Sequence, residues 1–270
     1  MSERTIASHG YDILLLERRQ FLKVLYDGLQ NKSRVQLGRN IQDIVECPSH
    51  VQVIMADETV EKGDMVIGCD GVHSMVRNLL QNQANKSKPG SITATEKTSI
   101  KTSWKCLIGV AGSTPEMGDR DMTDANDLAE QVADHPLSDS MVFGELWKRR
   151  SRGALIPLEQ GVLENWHHGR MVLAGDAVHK VTPNIALGGN SAMESIAVLC
   201  NHINRMVNDQ SGAKPSLATL NHTISAYRDE RAERMKKVME FSNLITKIQA
   251  WDTPLYRFVA EWIMPYAPDR

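Results

Sequence analysis

The residues best placed to do chemistry fall at two junctions where a strand hands over an acid and a glycine. The first is Asp70-Gly71-Val72-His73-Ser74-Met75-Val76-Arg77, behind the apolar run Met65–Cys69. The second is Gly175-Asp176-Ala177-Val178-His179, behind Met171–Ala174, and it continues through Pro183 to Gly188-Gly189-Asn190. Short continuous apolar runs of this kind read as buried strands. Glycine lets backbone approach a flat ligand closely. A helix N-terminus then offers unpaired N–H groups and partial positive charge to an anionic edge. Asn190 is the expected N-cap of a helix running from Ser191 to about Val207. The same stretch also reads as an ordinary strand–loop–helix crossover in which Asp176 caps something local, and both readings stay open at this point.

The elements that must position these residues follow from periodicity. Tyr11–Leu16 reads as extended. A helix begins at Glu17-Arg18-Arg19, with Phe21, Leu22, Leu25 and Leu29 on one face as a core-facing stripe. Arg18, at its entrance, is either a surface charge or a ligand contact. Between Arg34 and Asp70, Val35 with Leu37, then Ile41, Ile44 and Val45, then Val51, Val53 and Met55 alternate as half-buried antiparallel strands do. Trp104–Val110, Met141–Leu146 and Gly153–Leu158 are further extended runs, and Leu128–Ala133 is a short helix. Leu217–Gln249 is a long helix whose charged run, Tyr227–Arg234, reads as a solvated face. The aromatic tail Trp251–Tyr266 reads as a helix docked on the body or as a membrane-surface contact. Ligands in open α/β sheets sit beyond the carboxyl ends of strands, and both acid–glycine junctions lie at such ends.

Composition narrows the function classes. A formal charge of −2 and a pI near 6.5 over 270 residues argue against a nucleic-acid surface. No segment is long and apolar enough to span a bilayer, and the N-terminus has no signal-type apolar region, so a cytoplasmic protein is expected. Cys47, Cys69, Cys106 and Cys200 are scattered, as reduced thiols are. No spacing among His73, His167, His168 and His179 suggests a metal site.

In order and spacing, three motifs resemble those of the group A FAD-dependent monooxygenases, the family of the aromatic-ring hydroxylases. Asp70–Arg77 resembles its DG motif. Gly175–His179 with Pro183 and Gly188–Asn190 resembles its GD motif, and Glu17–Tyr26 resembles the arginine-led helix that touches the flavin. The runs Trp166–Arg170 and His179–Ile185 are most similar to fungal members of secondary metabolism that act on terpenoid and polyketide intermediates. The resemblance implies an α/β fold: an incomplete Rossmann-like FAD-binding domain (1–95 and 150–210), a reduced β-sheet substrate domain (96–149) and C-terminal helices (211–270). It implies FAD as cofactor and NAD(P)H as reductant, with oxygen inserted through a flavin C4a-hydroperoxide. Asp176 would then accept hydrogen bonds from the ribityl chain. Gly188, Gly189 and Asn190 would face the N1–C2=O edge, and Pro183 the reactive edge of the ring. Arg18 would hold the ribityl-phosphate region, and Asp70 with Gly71 the pyrophosphate side. No side chain is assigned a catalytic role.

The sequence also departs from that family. G-x-G occurs nowhere in it, so a truncated chain without the ADP-binding unit is expected, ending before the family's C-terminal extension. Trp104 stands where fungal relatives carry Tyr, Ala186-Leu187 where Gly-Gln is usual, and Thr114–Asp134 is short and polar. Three functions remain: an FAD monooxygenase acting on a small hydrophobic substrate; a flavin-free descendant catalysing isomerisation or cyclisation; and a non-catalytic accessory protein, as a homodimer that covers an exposed sheet edge.

Overall fold

The computed structural model describes residues 17–111, 123–138, 140–210 and 213–266. Tyr11–Leu16 and most of Thr114–Asn126 lie outside them. Helix α1 (Arg18–Asp27) leads to a three-stranded antiparallel meander of β1 (Ile41–Glu46), β2 (Val51–Met55) and β3 (Val60–Gly63). Strand β4 (Val66–Gly68) follows, then α2 (Met75–Ser87) and the single turn α3 (Ala94–Lys97). The long strand β5 (Lys101–Ala111) precedes α4 (Thr123–Gln131), the short ribbon β6 (Pro136–Ser138) and β7 (Met141–Val142), and α5 (Phe143–Lys148). Strand β8 (Arg150–Val162) returns antiparallel to β5, with Cys106 opposite Ile156. Next come β9 (His167–His168), β10 (Met171–Leu173) and β11 (His179–Lys180), then α6 (Leu187–Asp209), α7 (Leu217–Gln249) and α8 (Pro254–Phe258).

The centre is the pairing of β10 with β4 in parallel, Val172 opposite Ile67, and with β9 antiparallel. Met171, Val172, Leu173 and Ala174 are all fully buried, as an unbroken apolar run in a covered strand should be. Met171, Val172 and Leu173 share one core with Val76 and Leu80 of α2, Leu199 of α6, and Leu220, Ile224, Tyr227 and Met235 of α7. Gly68 makes the contact between α2 and the strand close. A Cβ there would lie 2.8 Å from the Val76 Cβ and 2.9 Å from Leu173 Cδ2. Strand β11 joins β8, with Lys180 opposite Gly161, so the β5–β8 sheet abuts the second acid–glycine junction.

Several sequence expectations change. The α1 stripe does not reach the core: Leu22, Leu25 and Leu29 are exposed and only Phe21 is half-buried. Val35 and Leu37 are not in a strand; a 3-10 turn (Lys32–Arg34) precedes them and Leu37 is 88% exposed. The run Met141–Leu146 turns helical after Val142, because the helix lets Phe143 stack on Trp147, whose ring packs with Ala125 and Ala129 of α4. A short apolar run leaves that choice to tertiary contact. The charged run of α7 is not all solvated: Tyr227, Arg231 and Met235 form a buried stripe at helical spacing. The tail lies against α7, yet Leu255, Phe258 and Trp262 face outward. No helix among the described residues is long and apolar enough to cross a membrane.

Candidate cofactor site

Strand β4 ends at Gly68, and the chain turns through Asp70 and Gly71, the latter at φ +83°. One Asp70 oxygen accepts from the Ser74 hydroxyl and the other from the backbone N–H groups of Met75 (2.7 Å) and Val76 (3.1 Å). The carboxylate thus sits on the positive end of α2 and starts that helix. Ser74 adds the side-chain cap, accepting from Arg77 N at 2.9 Å. From the same turn of helix, Arg77 donates to the Val72 carbonyl at 2.5 Å and to the Ala177 carbonyl at 3.0 Å. Burial lowers its pKa while Asp70 opposes that shift, and the guanidinium remains a cation.

The second junction lies directly beside the first. Ala174 N donates to the Gly68 carbonyl at 3.0 Å, carrying the β4–β10 ladder up to the turn. Gly175 has φ +62°, and a Cβ there would stand 3.3 Å from the Ala192 Cβ of α6, so glycine is demanded by conformation and supported by proximity. Asp176, about one-third exposed, accepts from Lys180 Nζ at 2.6 Å. Beneath the turn, Tyr227 donates to the Leu173 carbonyl at 3.3 Å. His179 Nε2 lies 2.9 Å from Ser195 Oγ, and that oxygen accepts from Arg231 Nε at 3.1 Å. With the guanidinium donating to it, the serine proton is left for His179, which accepts as a neutral ring. Burial first and Arg231 second push the His179 pKa down to about 4. Arg231 is neutralised by Glu194 at 2.8 Å.

Beyond the turn, Pro183 opens a 3-10 turn (Pro183–Ile185), and Ala186 is left-handed at φ +53°. Helix α6 starts there, at Leu187, not at Ser191. Asn190 is therefore not the N-cap; it lies in the first turn and donates Nδ2 to the Ala186 carbonyl at 3.1 Å. No side chain caps this end of α6. A Cβ at Gly189 would meet nothing within 4 Å, and one at Gly188 only Val181 Cγ2 at 3.8 Å.

The structure so brings together Asp70, Gly71 and Asp176, with Pro183, Gly188, Gly189 and Asn190 following in the next turns of chain. Arg18 is not among them. It is exposed on a helix with no buried residue, whose side-chain bonds (Lys23 and Lys32 to Asp27) stay local. Sequence reading missed Arg77, Arg231 and the hydroxyl cluster at Thr182. The four-residue spacing of Tyr227, Arg231 and Met235 was the signal for the second. Of the histidines, His179 is buried and His73 is exposed, 3.9 Å from Glu159. No cluster of three metal-ligating side chains occurs among the described residues.

Known proteins resemble this chain in sequence and fold. The family model described as an FAD binding domain matches residues 114–242. The FAD-dependent monooxygenase DEP2 of Alternaria brassicicola is 32% identical over 95% of this chain and 57% of its own length. The FAD-dependent monooxygenase aurC of Calcarisporium arbuscula is 29% identical over 96% of this chain and 62% of its own. Over nearly its whole length the chain is thus similar to fungal proteins named FAD-dependent monooxygenases. It spans somewhat more than half the length of these relatives. The fold is shared with a solved structure: that of Klebsiella pneumoniae HpxO complexed with FAD and uric acid superposes with a TM-score of 0.66 at 18% identity, covering 96% of this chain and 71% of that one.

The residues of this chain fit the ring-side half of FAD. The uncapped first turn of α6, with open space at Gly189, leaves backbone N–H groups for an anionic ring edge, and the Asp176 carboxylate beside it accepts donors. At the other turn both Asp70 oxygens are engaged by α2, so Gly71 is the part of it open to a ligand.

Proposed function

We propose that this chain forms the flavin-ring portion of an FAD-dependent monooxygenase of secondary metabolism, which uses NAD(P)H and O₂ on a small hydrophobic terpenoid- or polyketide-type substrate. The single observation that carries the reading is the joining of the Asp70 and Asp176 turns, by the Arg77–Ala177 bond, next to an uncapped, glycine-fronted helix. When bound, FAD supplies electron transfer from NAD(P)H and the activation of O₂ that leaves one oxygen atom in the substrate and the other in water.

The chain's own residues bind and orient. Gly188 and Gly189 direct backbone donors to the ring edge that becomes negative on reduction, where fixed dipoles act without reorganising. Asp176 accepts from the ribityl hydroxyls, a role for which Lys180 competes. The apolar floor of Ala177, Val178 and Val181, all buried, keeps water from beneath the turn. The substrate lies toward the β5–β8 sheet, whose Glu159 approaches His73 of the first turn. Aromatics of the tail, Trp262 and Tyr266 among them, are exposed for membrane-surface contact.

The deciding experiment is an FAD titration of the purified chain followed by its visible spectrum and NADPH-dependent O₂ uptake. Flavin absorbance retained after gel filtration supports the reading. A chain that stays colourless at saturating FAD defeats it, and substrate turnover without reductant would select redox-neutral chemistry instead.

A further inference from the structure

We infer that Thr182, Ser242 and Thr246 form a hydroxyl latch by which α7 sets the conformation of the Pro183–Asn190 loop for the flavin ring; the inference rests on the FAD reading above. Thr182, the residue before Pro183, is fully buried, as is Ser242, and Thr246 is 4% exposed. Thr182 Oγ1 lies 2.6 Å from Ser242 Oγ and 2.8 Å from Thr246 Oγ1. Ser242 Oγ also donates to the Thr182 carbonyl at 3.2 Å, and Thr246 Oγ1 to the Ser242 carbonyl at 2.9 Å. Each of the three protons then has an acceptor: those of Ser242 and Thr246 go to carbonyls, and that of Thr182 to a neighbouring hydroxyl. One turn further along, Thr246 lies 3.3 Å from Asn184 Oδ1, and Asn184 Nδ2 bonds to Gln249.

The loop needs an external hold. Pro183 has no N–H to give, and Ala186 occupies the left-handed region that favours glycine. Its backbone bond, Ala186 N to the Pro183 carbonyl at 2.9 Å, is internal to the turn and does not tie it to the core. The N-terminus of α6 has no side-chain cap either. What fixes the direction of its first turn is thus the pair of contacts on either side of Pro183, both made to the 242–249 segment of α7. Because Thr182 and Asn184 bracket the proline, loss of the latch frees the loop on its own and leaves the β4–β10 core alone.

The test compares the wild-type chain with the double variant Thr182→Val/Ser242→Ala and with the conservative Thr182→Ser. Amide hydrogen exchange of the 183–191 peptide is measured without FAD, and the FAD dissociation constant by titration. We expect at least tenfold faster exchange in that peptide for the double variant, with the 171–174 strand unchanged. Its FAD dissociation constant should rise about tenfold, and Thr182→Ser should stay near wild type in both. Thr246 keeps the Ser242 carbonyl as acceptor in the double variant, so folding is retained, and protection of the 171–174 strand verifies this. Unchanged exchange in the loop overturns the latch, and so does faster exchange with unaltered FAD affinity. A wild-type chain that binds no FAD overturns the flavin reading itself, which is visible before any variant is made.

Discussion

Arg77 Nη1 lies 3.0 Å from the carbonyl oxygen of Ala177, although the two residues are 100 positions apart in the chain. One is in the helix that leaves the first acid–glycine turn, the other in the turn of the second. The same guanidinium holds Val72 in its own turn, so a single half-buried cation sets the spacing of both. A charged donor on two carbonyls is stronger than a neutral one, and it adds a side-chain link beyond the β4–β10 ladder. The geometry of the site is therefore carried by a residue that need not touch the ligand.

Replacing Arg77 by Met keeps the aliphatic length and removes the donors. Ala177, fully buried, is left with an unpaired carbonyl. We expect a loss of about 1.5–3 kcal/mol in urea unfolding. Arg77→Lys should recover part of it, because one point donor cannot serve both carbonyls.

Asp176→Asn separates binding from folding. The pair with Lys180 is about one-third exposed on both sides and screened by solvent, so its loss should alter stability by no more than about 1 kcal/mol. Flavin retention should fall by about tenfold or more. Gel filtration after loading with FAD, read beside a melting curve, checks both halves.

His179 makes stability depend on pH. Its ring stays neutral in the fold down to a pKa of about 4, whereas the unfolded ring takes a proton near the ordinary histidine value of 6.5. Between those values the unfolded chain binds the additional proton, so stability is full above pH 6.5 and falls as pH drops toward 4. The loss from this group is at most about 3 kcal/mol. His167 is shifted in the same direction, by burial first, and adds to the slope. Unfolding free energies at a series of pH values should fall less steeply for His179→Gln than for wild type.

Gly68→Ala should cost roughly 1–3 kcal/mol by overpacking, since its Cβ would stand 2.8 Å from Val76. Val76→Ala in the same chain should restore part of that loss, giving a coupling energy in a double-mutant cycle. Strict additivity of the two changes would contradict the close contact.

Sequence by itself determined the parts that local rules govern. The unbroken apolar run Met171–Ala174 read as a buried strand, Leu217–Gln249 as a helix, and the two acid–glycine junctions as turns at strand ends. The structure has all of these. Their motif order also carried the resemblance to FAD-dependent monooxygenases. Tertiary structure alone decided what each charge and cap does, because a side chain's partner lies outside any local window. Arg77 reaches 100 residues along the chain and Thr182 reaches 60 and 64. Arg18, in a motif-like position, is held by no packing and stays exposed. Asn190 has a cap residue's chemistry, but the N-cap position of α6 falls four residues earlier, at Ala186, which accepts a left-handed backbone that sequence disfavours. Periodicity reports which face of an element is buried, and only the folded chain supplies what it is buried against.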